Sequence, residues 1–198
     1  MAEEKPNEVK VILLGEAGVG KTSLINVAVG LNFSDEEAST ASASFVTKKF
    51  HKENKDYTLN IWDTAGQEKF RALSKIFIKN SKIVIFVYAI NDKQSFDSLT
   101  FWVSTVKEIL GEDIILAVVG NKYDLYLEEK IKSQEAEEYA SSINAKFETA
   151  SAKMNPGAFI SLLENLLDYY LKKGEDSVKK PGFEKLNQKC EKKKKKYC

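Results

Sequence analysis

Residues 15–22 have the sequence GEAGVGKT, which fits the pattern G-x-x-x-x-G-K-T. The glycines of such a loop let backbone N–H groups converge on phosphate oxygens at the start of a helix, where the helix dipole favours anions. The lysine of the pattern reaches the β- and γ-phosphates, and the next hydroxyl binds Mg²⁺. We therefore predict a phosphate-binding loop in which Lys21 is also catalytic. Its expected contacts are Gly15, Ala17, Gly18, Val19, Gly20, Lys21, Thr22 and Ser23.

A phosphate loop alone fits an ATPase or a nucleoside kinase equally well. A second motif, NKYD at residues 121–124, indicates which nucleotide base is bound. Asp124 would accept hydrogen bonds from guanine N1–H and the exocyclic amino group. Adenine lacks both donors and would leave this carboxylate unpaired, which is costly. Asn121 and the stem of Lys122 would hold the loop and cover the ring. A further loop would place a backbone N–H on guanine O6, and it consists of Ser151, Ala152 and Lys153.

A third motif, DTAGQ at residues 63–67, indicates the reaction. Asp63 is the expected carboxylate that holds Mg²⁺, largely through water. The Gly66 N–H would contact the γ-phosphate, and Gln67 would orient the attacking water. The three motifs together predict GTP or GDP as ligand, Mg²⁺ as cofactor and GTP hydrolysis as the reaction.

The segments around these motifs alternate between short apolar runs and amphipathic stretches of helical length. This alternation is typical of βαβ units, with a mostly parallel sheet and ligands at the carboxyl ends of its strands. We predict a six-stranded, mostly parallel α/β sheet with helices on both faces. The predicted strands are Val9–Leu14, Phe45–His51 at an antiparallel edge, Tyr57–Trp62, Ile83–Tyr88, Ile114–Val119 and a short one near Phe147. The predicted helices are Lys21–Val29, Ser95–Leu110, Lys132–Ser142 and Ala158–Lys172.

The composition fits one domain with a basic extension. A chain of 198 residues that is 43% hydrophobic can bury one core. We expect a flexible segment at 1–8, a nucleotide-binding domain at 9–172 and a disordered tail at 173–198. The stretch 172–198 has eleven lysines and four acidic residues, a net charge of +7, so the rest of this +1 chain carries −6. Such a basic tail indicates an anionic partner.

The termini and cysteines point to a soluble, cytosolic body. The two cysteines, Cys190 and Cys198, both lie in the tail. We therefore expect no disulfide scaffold and a protein that resides in a reducing compartment. The first ten residues lack the apolar region of a secretory signal, and Ala2 excludes N-myristoylation. The longest apolar runs, such as residues 83–90, are too short to cross a bilayer.

Over roughly residues 8–171 the chain resembles the Rab family of small GTPases, within the Ras superfamily. Its segment IWDTAGQEKF at 61–70 is similar to switch II of that family, and Ser95-Phe96 with Leu99 and Trp102 is similar to the Rab helix after the fourth strand. The resemblance implies a monomeric switch in vesicle identity or transport. It also implies effectors, an exchange factor and a GTPase-activating protein as partners, and no nucleic acid.

The resemblance also assigns switch I and an effector surface. Phe33 falls where the family stacks an aromatic ring on guanine, and Thr40 falls where a threonine binds Mg²⁺ through its hydroxyl and the γ-phosphate through its N–H. An aromatic cluster reports the GTP state to Rab effectors, and the matching positions are Phe45, Trp62 and Phe77. The alternative is that these three are ordinary core aromatics.

Three departures from the family pattern affect function. Ala41-Ser42 follows Thr40 where Rabs usually have Ile-Gly, so the identity of the effectors is open. Residues 77–81 read FIKNS in place of the usual YYRGA, and Ala17 stands where many Rabs have serine, which would slow hydrolysis. Arg71 is the only arginine, so an activating arginine is expected from a partner.

The tail contains five consecutive lysines, 192–196, close to Cys198. One prenyl group together with such a basic patch holds a protein on an anionic membrane, whereas one lipid chain alone does so only marginally. The resemblance implies prenylation of Cys198 and reversible attachment to the cytosolic face of an intracellular membrane, although the cysteine motif is atypical. A solvated basic tail is the alternative, and Cys190 is either a second lipid site or a free thiol.

Two classes of function fit these residues. The first is a switch in which slow hydrolysis times an effector-binding state, and Gln67 favours it. The second is a GTP-binding scaffold with little turnover, which Ala17, Ala41 and Ser42 leave open. A P-loop kinase is disfavoured by the NKYD motif and by the lack of an arginine-rich lid.

Overall fold

The computed structural model describes residues 7–35, 40, 44–64 and 71–178. The strands are β1 Glu8–Leu14, β2 Ser44–Lys52, β3 Lys55–Asp63, β4 Ile83–Ala89, β5 Ile115–Asn121 and β6 Lys146–Thr149. The helices are α1 Lys21–Ala28, α2 Arg71–Ile78, α3 Lys93–Asp97, α4 Leu99–Leu110, a 3₁₀ helix Tyr123–Glu128, α5 Ser133–Ser142 and α6 Pro156–Val178.

The strands form one six-stranded sheet in the order β2-β3-β1-β4-β5-β6. The β2–β3 pair is antiparallel, and the four other pairs are parallel. Every residue of β4 and β5 is buried, because helices cover both faces of the centre of the sheet. The edge strand β2 has no fully buried residue. The predicted fold class and the antiparallel edge strand are confirmed.

Buried residues along the strands alternate between the two faces of the sheet. Ile12, Val84 and Phe86 belong to one buried cluster, which also contains Leu99 and Val106 of α4. The intervening strand residues, such as Val11, Ile85 and Ala117, are buried on the opposite face. The apolar side of the predicted amphipathic stretch Ser95–Leu110 therefore faces the sheet.

Strand order decides where a ligand binds. The chain places β3 on one side of β1 and β4 on the other, so the order of the strands reverses at the carboxyl end of β1. In open α/β sheets, such a point leaves a crevice for a ligand. Three predicted motifs meet at this edge, because residues 15–22 follow β1, Asp63 ends β3 and Asn121 ends β5.

The predicted helix Ser95–Leu110 is in fact two helices, α3 and α4, which meet at Ser98. The Asp92 side chain accepts a hydrogen bond from Ser95 N at 3.3 Å and starts α3 earlier than predicted. At the junction, the Ser98 hydroxyl donates to the Ser95 carbonyl at 2.9 Å, and Phe101 N donates to the Ser98 carbonyl three residues back at 3.1 Å. Side-chain bonds of this kind compete with the regular helical ladder. Helix α2 and the 3₁₀ helix were not predicted.

Helix α6 extends past the predicted end of the domain at residue 172 and reaches Val178. A single glycine, here Gly174, costs a helix only about 1 kcal/mol, which does not stop a long one. The fold divides within this helix into two compact units, residues 1–164 and 165–198. The sheet and every residue of the site below belong to the first unit; the described part of the second is helical. Of the helices described, none combines the length and apolar character that a bilayer crossing requires.

Candidate functional site

The loop that is predicted to bind phosphate joins β1 to α1. A Cβ atom on Gly15 would collide with the carbonyl oxygen of Val87 on β4. The backbone at position 15 therefore lies closer to β4 than any residue with a side chain would allow. Gly20 has φ +90° directly before α1, and a Cβ there would collide with the Asn121 side-chain amide. The glycines thus bring the loop backbone against β4 and the end of β5.

Lys21 begins α1 and is 5% exposed. Its ammonium group donates to the carbonyl oxygens of Gly15 and Glu16, each at 2.9 Å. Burial lowers the pKa of Lys21 to about 8, against the opposing attraction of Asp63 and Glu16. A cation desolvated in this way, with three N–H donors, interacts strongly with an anion beside the loop.

Three oxygen-bearing side chains converge next to Lys21. The Thr22 hydroxyl donates to Asp63 Oδ2 at 2.7 Å, and the Thr40 hydroxyl donates to the same oxygen at 3.3 Å. The two hydroxyl oxygens are 2.8 Å apart. Burial raises the pKa of Asp63, while the Thr22 hydrogen bond lowers it. These residues come from α1, the segment before β2 and the end of β3.

This cluster fits a divalent cation. Magnesium prefers oxygen ligands, and all three side chains supply them. Within the described part of the chain, Asp63 Oδ1 is buried and has no hydrogen-bond partner, so it has an unused acceptor toward a cation or its water. The predicted ligand set, Thr22, Thr40 and Asp63, is therefore brought together by the fold.

The loop after β5 is tied to the phosphate-binding loop. Asn121 is 2% exposed, and its side-chain amide donates to the Val19 carbonyl at 2.8 Å, across 102 residues of chain. Lys122 follows with φ 63°, a left-handed conformation that turns the backbone into the 3₁₀ helix. The sequence predicted that Asn121 holds its own loop, and the contact shows that it also holds a second one.

Asp124 is oriented from the loop after β6. The Ser151 hydroxyl donates to Asp124 Oδ1 at 2.5 Å and accepts from Met154 N at 2.9 Å. Tyr123 N also donates to the Ala150 carbonyl at 3.1 Å, so backbone and side chain join the two loops. Ser151 therefore acts through Asp124, whereas Ala152 and Lys153 face the cavity themselves.

One cavity of about 370 Å³ runs between these groups. It is lined by predicted residues from the phosphate loop, switch I and both base loops: Ala17, Gly18, Gly20, Lys21, Thr22, Ser23, Phe33, Thr40, Asn121, Lys122, Asp124, Ala152 and Lys153. Gly15, Val19, Asp63 and Ser151 do not line it; each contacts residues that do. The predicted residues Gly66, Gln67, Cys190 and Cys198 lie outside the described residues.

Several residues of the site were not predicted. Ser34, Asp35 and Leu125 also line the cavity, and none of the three belongs to a predicted motif. Thr64 is 2% exposed, and its hydroxyl donates to the Leu13 carbonyl at 2.7 Å, which fixes the chain directly after Asp63. Its place inside the DTAGQ motif was the available signal.

The three aromatic residues predicted as an effector surface do form a cluster. Phe45 stacks on Trp62, with ring centroids 5.1 Å apart, and Trp62 lies 5.6 Å from Phe77. Trp62 and Phe77 pack against the core, but Phe45 is 55% exposed. The Lys10 ammonium group lies 4.7 Å from the centre of the Trp62 ring. The cluster is thus anchored in the core and open to solvent at Phe45.

Comparison with known proteins agrees with this geometry. The Ras family model matches residues 10–167. The human Ras-related protein Rab-21 is 44% identical over 162 residues, which cover 80% of this chain and 72% of that protein. Rab-21 of Dictyostelium discoideum is 42% identical over 75% of this chain and 70% of its own length, and human Rab-22A is 40% identical over 74% and 75%. The chain belongs to the Rab family of small GTPases.

Proposed function

We propose that this protein is a GTP-driven switch that binds GTP or GDP with Mg²⁺ and hydrolyses GTP slowly. One observation carries the proposal. A single cavity is lined at one end by Lys21, Thr22 and Thr40, and at the other by Asp124. The first group suits phosphates and a divalent cation, and the carboxylate suits the donors of guanine.

At the phosphate end, the loop residues 15–20 present backbone N–H groups, and the Lys21 ammonium group donates to the β- and γ-phosphate oxygens. The Thr22 and Thr40 hydroxyls and the Asp63 carboxylate hold Mg²⁺, which when bound offsets the phosphate charge. Thr40 belongs to switch I, so its participation links the nucleotide state to the conformation of that segment.

At the base end, Asp124 accepts hydrogen bonds from guanine N1–H and the exocyclic amino group. The Ser151 hydroxyl also donates a hydrogen bond to Asp124 Oδ1. Carboxylate oxygens have several lone pairs, so one oxygen serves both partners. Phe33 and the stem of Lys122 cover the two faces of the ring, and the Ala152 N–H meets guanine O6. A nucleotide without these donors would leave Asp124 with the Ser151 hydrogen bond alone, and the other lone pairs of this half-buried carboxylate would have no donor.

Hydrolysis depends on residues of switch II. From their register in the DTAGQ motif, we assign the Gly66 N–H to the γ-phosphate and Gln67 to the attacking water. The only arginine is Arg71, so the stimulating arginine comes from a GTPase-activating protein. Ala17 offers no side-chain hydroxyl to the phosphates, which is in keeping with a low intrinsic rate.

The output of the switch is binding of effector proteins at Phe45, Trp62 and Phe77, in the service of membrane trafficking. An exposed aromatic ring that stacks on a partly buried one is suited to a protein contact. The basic tail and a prenyl group on Cys198 attach the protein, as a monomer, to the cytosolic face of an intracellular membrane.

Nucleotide binding and single-turnover hydrolysis test this proposal together. Purified full-length protein is loaded with GTP or ATP, with Mg²⁺ or with EDTA, and bound nucleotide is followed over time. We expect GTP to bind in preference to ATP, EDTA to speed its release, and GDP to appear slowly. Preference for ATP would contradict the proposal. Tight GTP binding with no turnover would instead favour the scaffold that Ala17 leaves open.

Gln67→Leu tests the catalytic assignment. Without an amide to orient the attacking water, we expect single-turnover hydrolysis to slow roughly tenfold or more, while GTP affinity stays within a factor of about two because Gln67 acts on the water and not on the bound nucleotide. Leu31→Gln, at an exposed site outside the cavity, serves as control. An unchanged rate in Gln67→Leu would remove this residue from its role.

A further inference from the structure

The segment that follows α1 is connected to the loop after β6 by an ion pair. The Lys153 ammonium group donates to both carboxylate oxygens of Asp35, at 3.1 and 3.3 Å, across 118 residues of chain. No single helix, strand or turn contains both residues. The contact therefore exists only because the fold brings the start of switch I to the base end of the cavity.

The same lysine contacts a second residue of that segment. Its ammonium group lies 5.7 Å from the centre of the Phe33 ring, within the range of a cation–π interaction. Lys153, Phe33 and Asp35 all line the cavity. The lysine thus holds the segment at two points, an aromatic face and a carboxylate.

The ion pair lies at the rim of the cavity and not in its floor. The side chains of Lys153 and Asp35 are 48% and 74% exposed, whereas Lys21 and Asn121 are almost completely buried. Further back, Leu31 N donates to the Asn26 carbonyl at 2.9 Å where the chain leaves α1. The segment between Leu31 and Asp35 is therefore fixed at its start by the helix and at its end by Lys153.

We propose that Asp35 is a positioning residue: paired with Lys153, it closes the base end of the cavity and slows the release of bound nucleotide. This rests on the proposed function, because it assumes that a guanine nucleotide occupies the cavity. For the base to leave, Phe33 must move away from it, and the ion pair resists that movement. Effects on affinity within one complex arise mainly in the dissociation rate.

The size and character of the effect follow from the exposure of the pair. An exposed ion pair is weak, so its loss should accelerate release about two- to fivefold. Salt at about 1 M shortens the screening length to roughly 3 Å and should remove most of the contribution. Because the pair lies by the base and not by Lys21 and Thr22, GDP and GTP should be affected by the same factor.

A double-mutant cycle on nucleotide release tests the pairing. Full-length protein with Mg²⁺ is loaded with fluorescent GDP or with a fluorescent GTP analogue that is not hydrolysed, and release is followed after addition of excess unlabelled nucleotide. The variants are Asp35→Asn, Lys153→Met and the two combined. Asp56→Asn is the matched control, since it removes another exposed, hydrogen-bonded carboxylate from the distant β2–β3 hairpin.

We expect Asp35→Asn to release both nucleotides about two- to fivefold faster, and to add nothing when Lys153 is already Met, since coupled partners are not additive. High salt should accelerate the wild type toward the rate of Asp35→Asn, and Asp56→Asn should behave as wild type. Release factors that multiply in the double variant would overturn the pairing. So would an effect on the GTP analogue alone, or an equal salt response in wild type and Asp35→Asn.

These outcomes separate the proposal from the function on which it rests. If the wild type retains no guanine nucleotide, the proposed function fails. If it retains GDP and Asp35→Asn releases it at the wild-type rate, the positioning role of Asp35 alone is overturned.

Discussion

The two ends of the cavity are built in different ways. At the phosphate end, the charged groups are buried: Lys21 is 5% and Asp63 4% exposed, and Lys21 is held by carbonyl oxygens of its own loop. At the base end, Asp124 is only partly buried and depends on Ser151 from another loop. Burial strengthens electrostatic contacts and makes an unpaired group expensive.

This difference assigns the affinity for nucleotide to one end of the cavity and the selectivity for the base to the other. In the proposed function, the phosphate end supplies desolvated charge that binds the phosphates of any nucleotide, and the base end supplies acceptors that distinguish one base from another. Changes at the phosphate end should therefore cost the most affinity. Changes at the base end should cost less and should alter which nucleotide binds.

The largest effect is expected from Lys21→Met, which removes the buried ammonium group but keeps the length of the side chain. Losing charged hydrogen bonds to the β- and γ-phosphates should weaken GTP binding by at least about 100-fold, as measured by competition against labelled nucleotide. Lys10→Met is the control, because Lys10 is a partly buried lysine that, like Lys21, donates to a backbone carbonyl, Lys79 O at 2.9 Å. Equal losses in both variants would mean that Lys21 does not contact the phosphates.

Asp124→Asn should have a smaller effect on affinity and a larger one on selectivity. The new amide presents a donor to a guanine donor, so GTP should bind roughly 10- to 100-fold more weakly. Xanthosine triphosphate, which presents an acceptor there, should bind better than GTP. Competition with both nucleotides measures this, and equal affinities in the variant would contradict the assigned base contact.

The smallest of the three effects is expected from Ser151→Ala. Without the hydroxyl, Asp124 loses a charge-assisted hydrogen bond and its fixed orientation, so GDP affinity should fall about three- to tenfold. The change in ATP affinity should be smaller, because Asp124 does not contact adenine. Ser142→Ala is the control, since its hydroxyl binds the Tyr139 carbonyl on exposed α5. Unchanged GDP affinity would make Ser151 a residue of loop structure alone.

Much of the fold could be predicted because its signals are local. The strands β4 and β5 are almost entirely apolar, and β1 is apolar from Val11 to Leu14. The predicted ends of all three strands lie within two residues of the observed ends. The failures also have local causes. Helix α3 separates from α4 because Ser98 and Ser95 redirect backbone hydrogen bonds, and α2 lies next to a motif that was interpreted only as a loop. Helix α6 runs past Gly174 because helix formation is cooperative.

What the sequence by itself determined is the chemistry. The glycines, Lys21 and Thr22 in one loop, and Asn121 with Asp124 in another, predict sites for phosphate, a cation and guanine, because motif spacing and side-chain chemistry are local properties. Only the tertiary structure decided how these residues are held. Asn121 binds the Val19 carbonyl, Ser151 binds Asp124 and Lys153 binds Asp35 across 102, 27 and 118 residues. Contacts between distant loops depend on the order of strands in the sheet, and no local pattern encodes them.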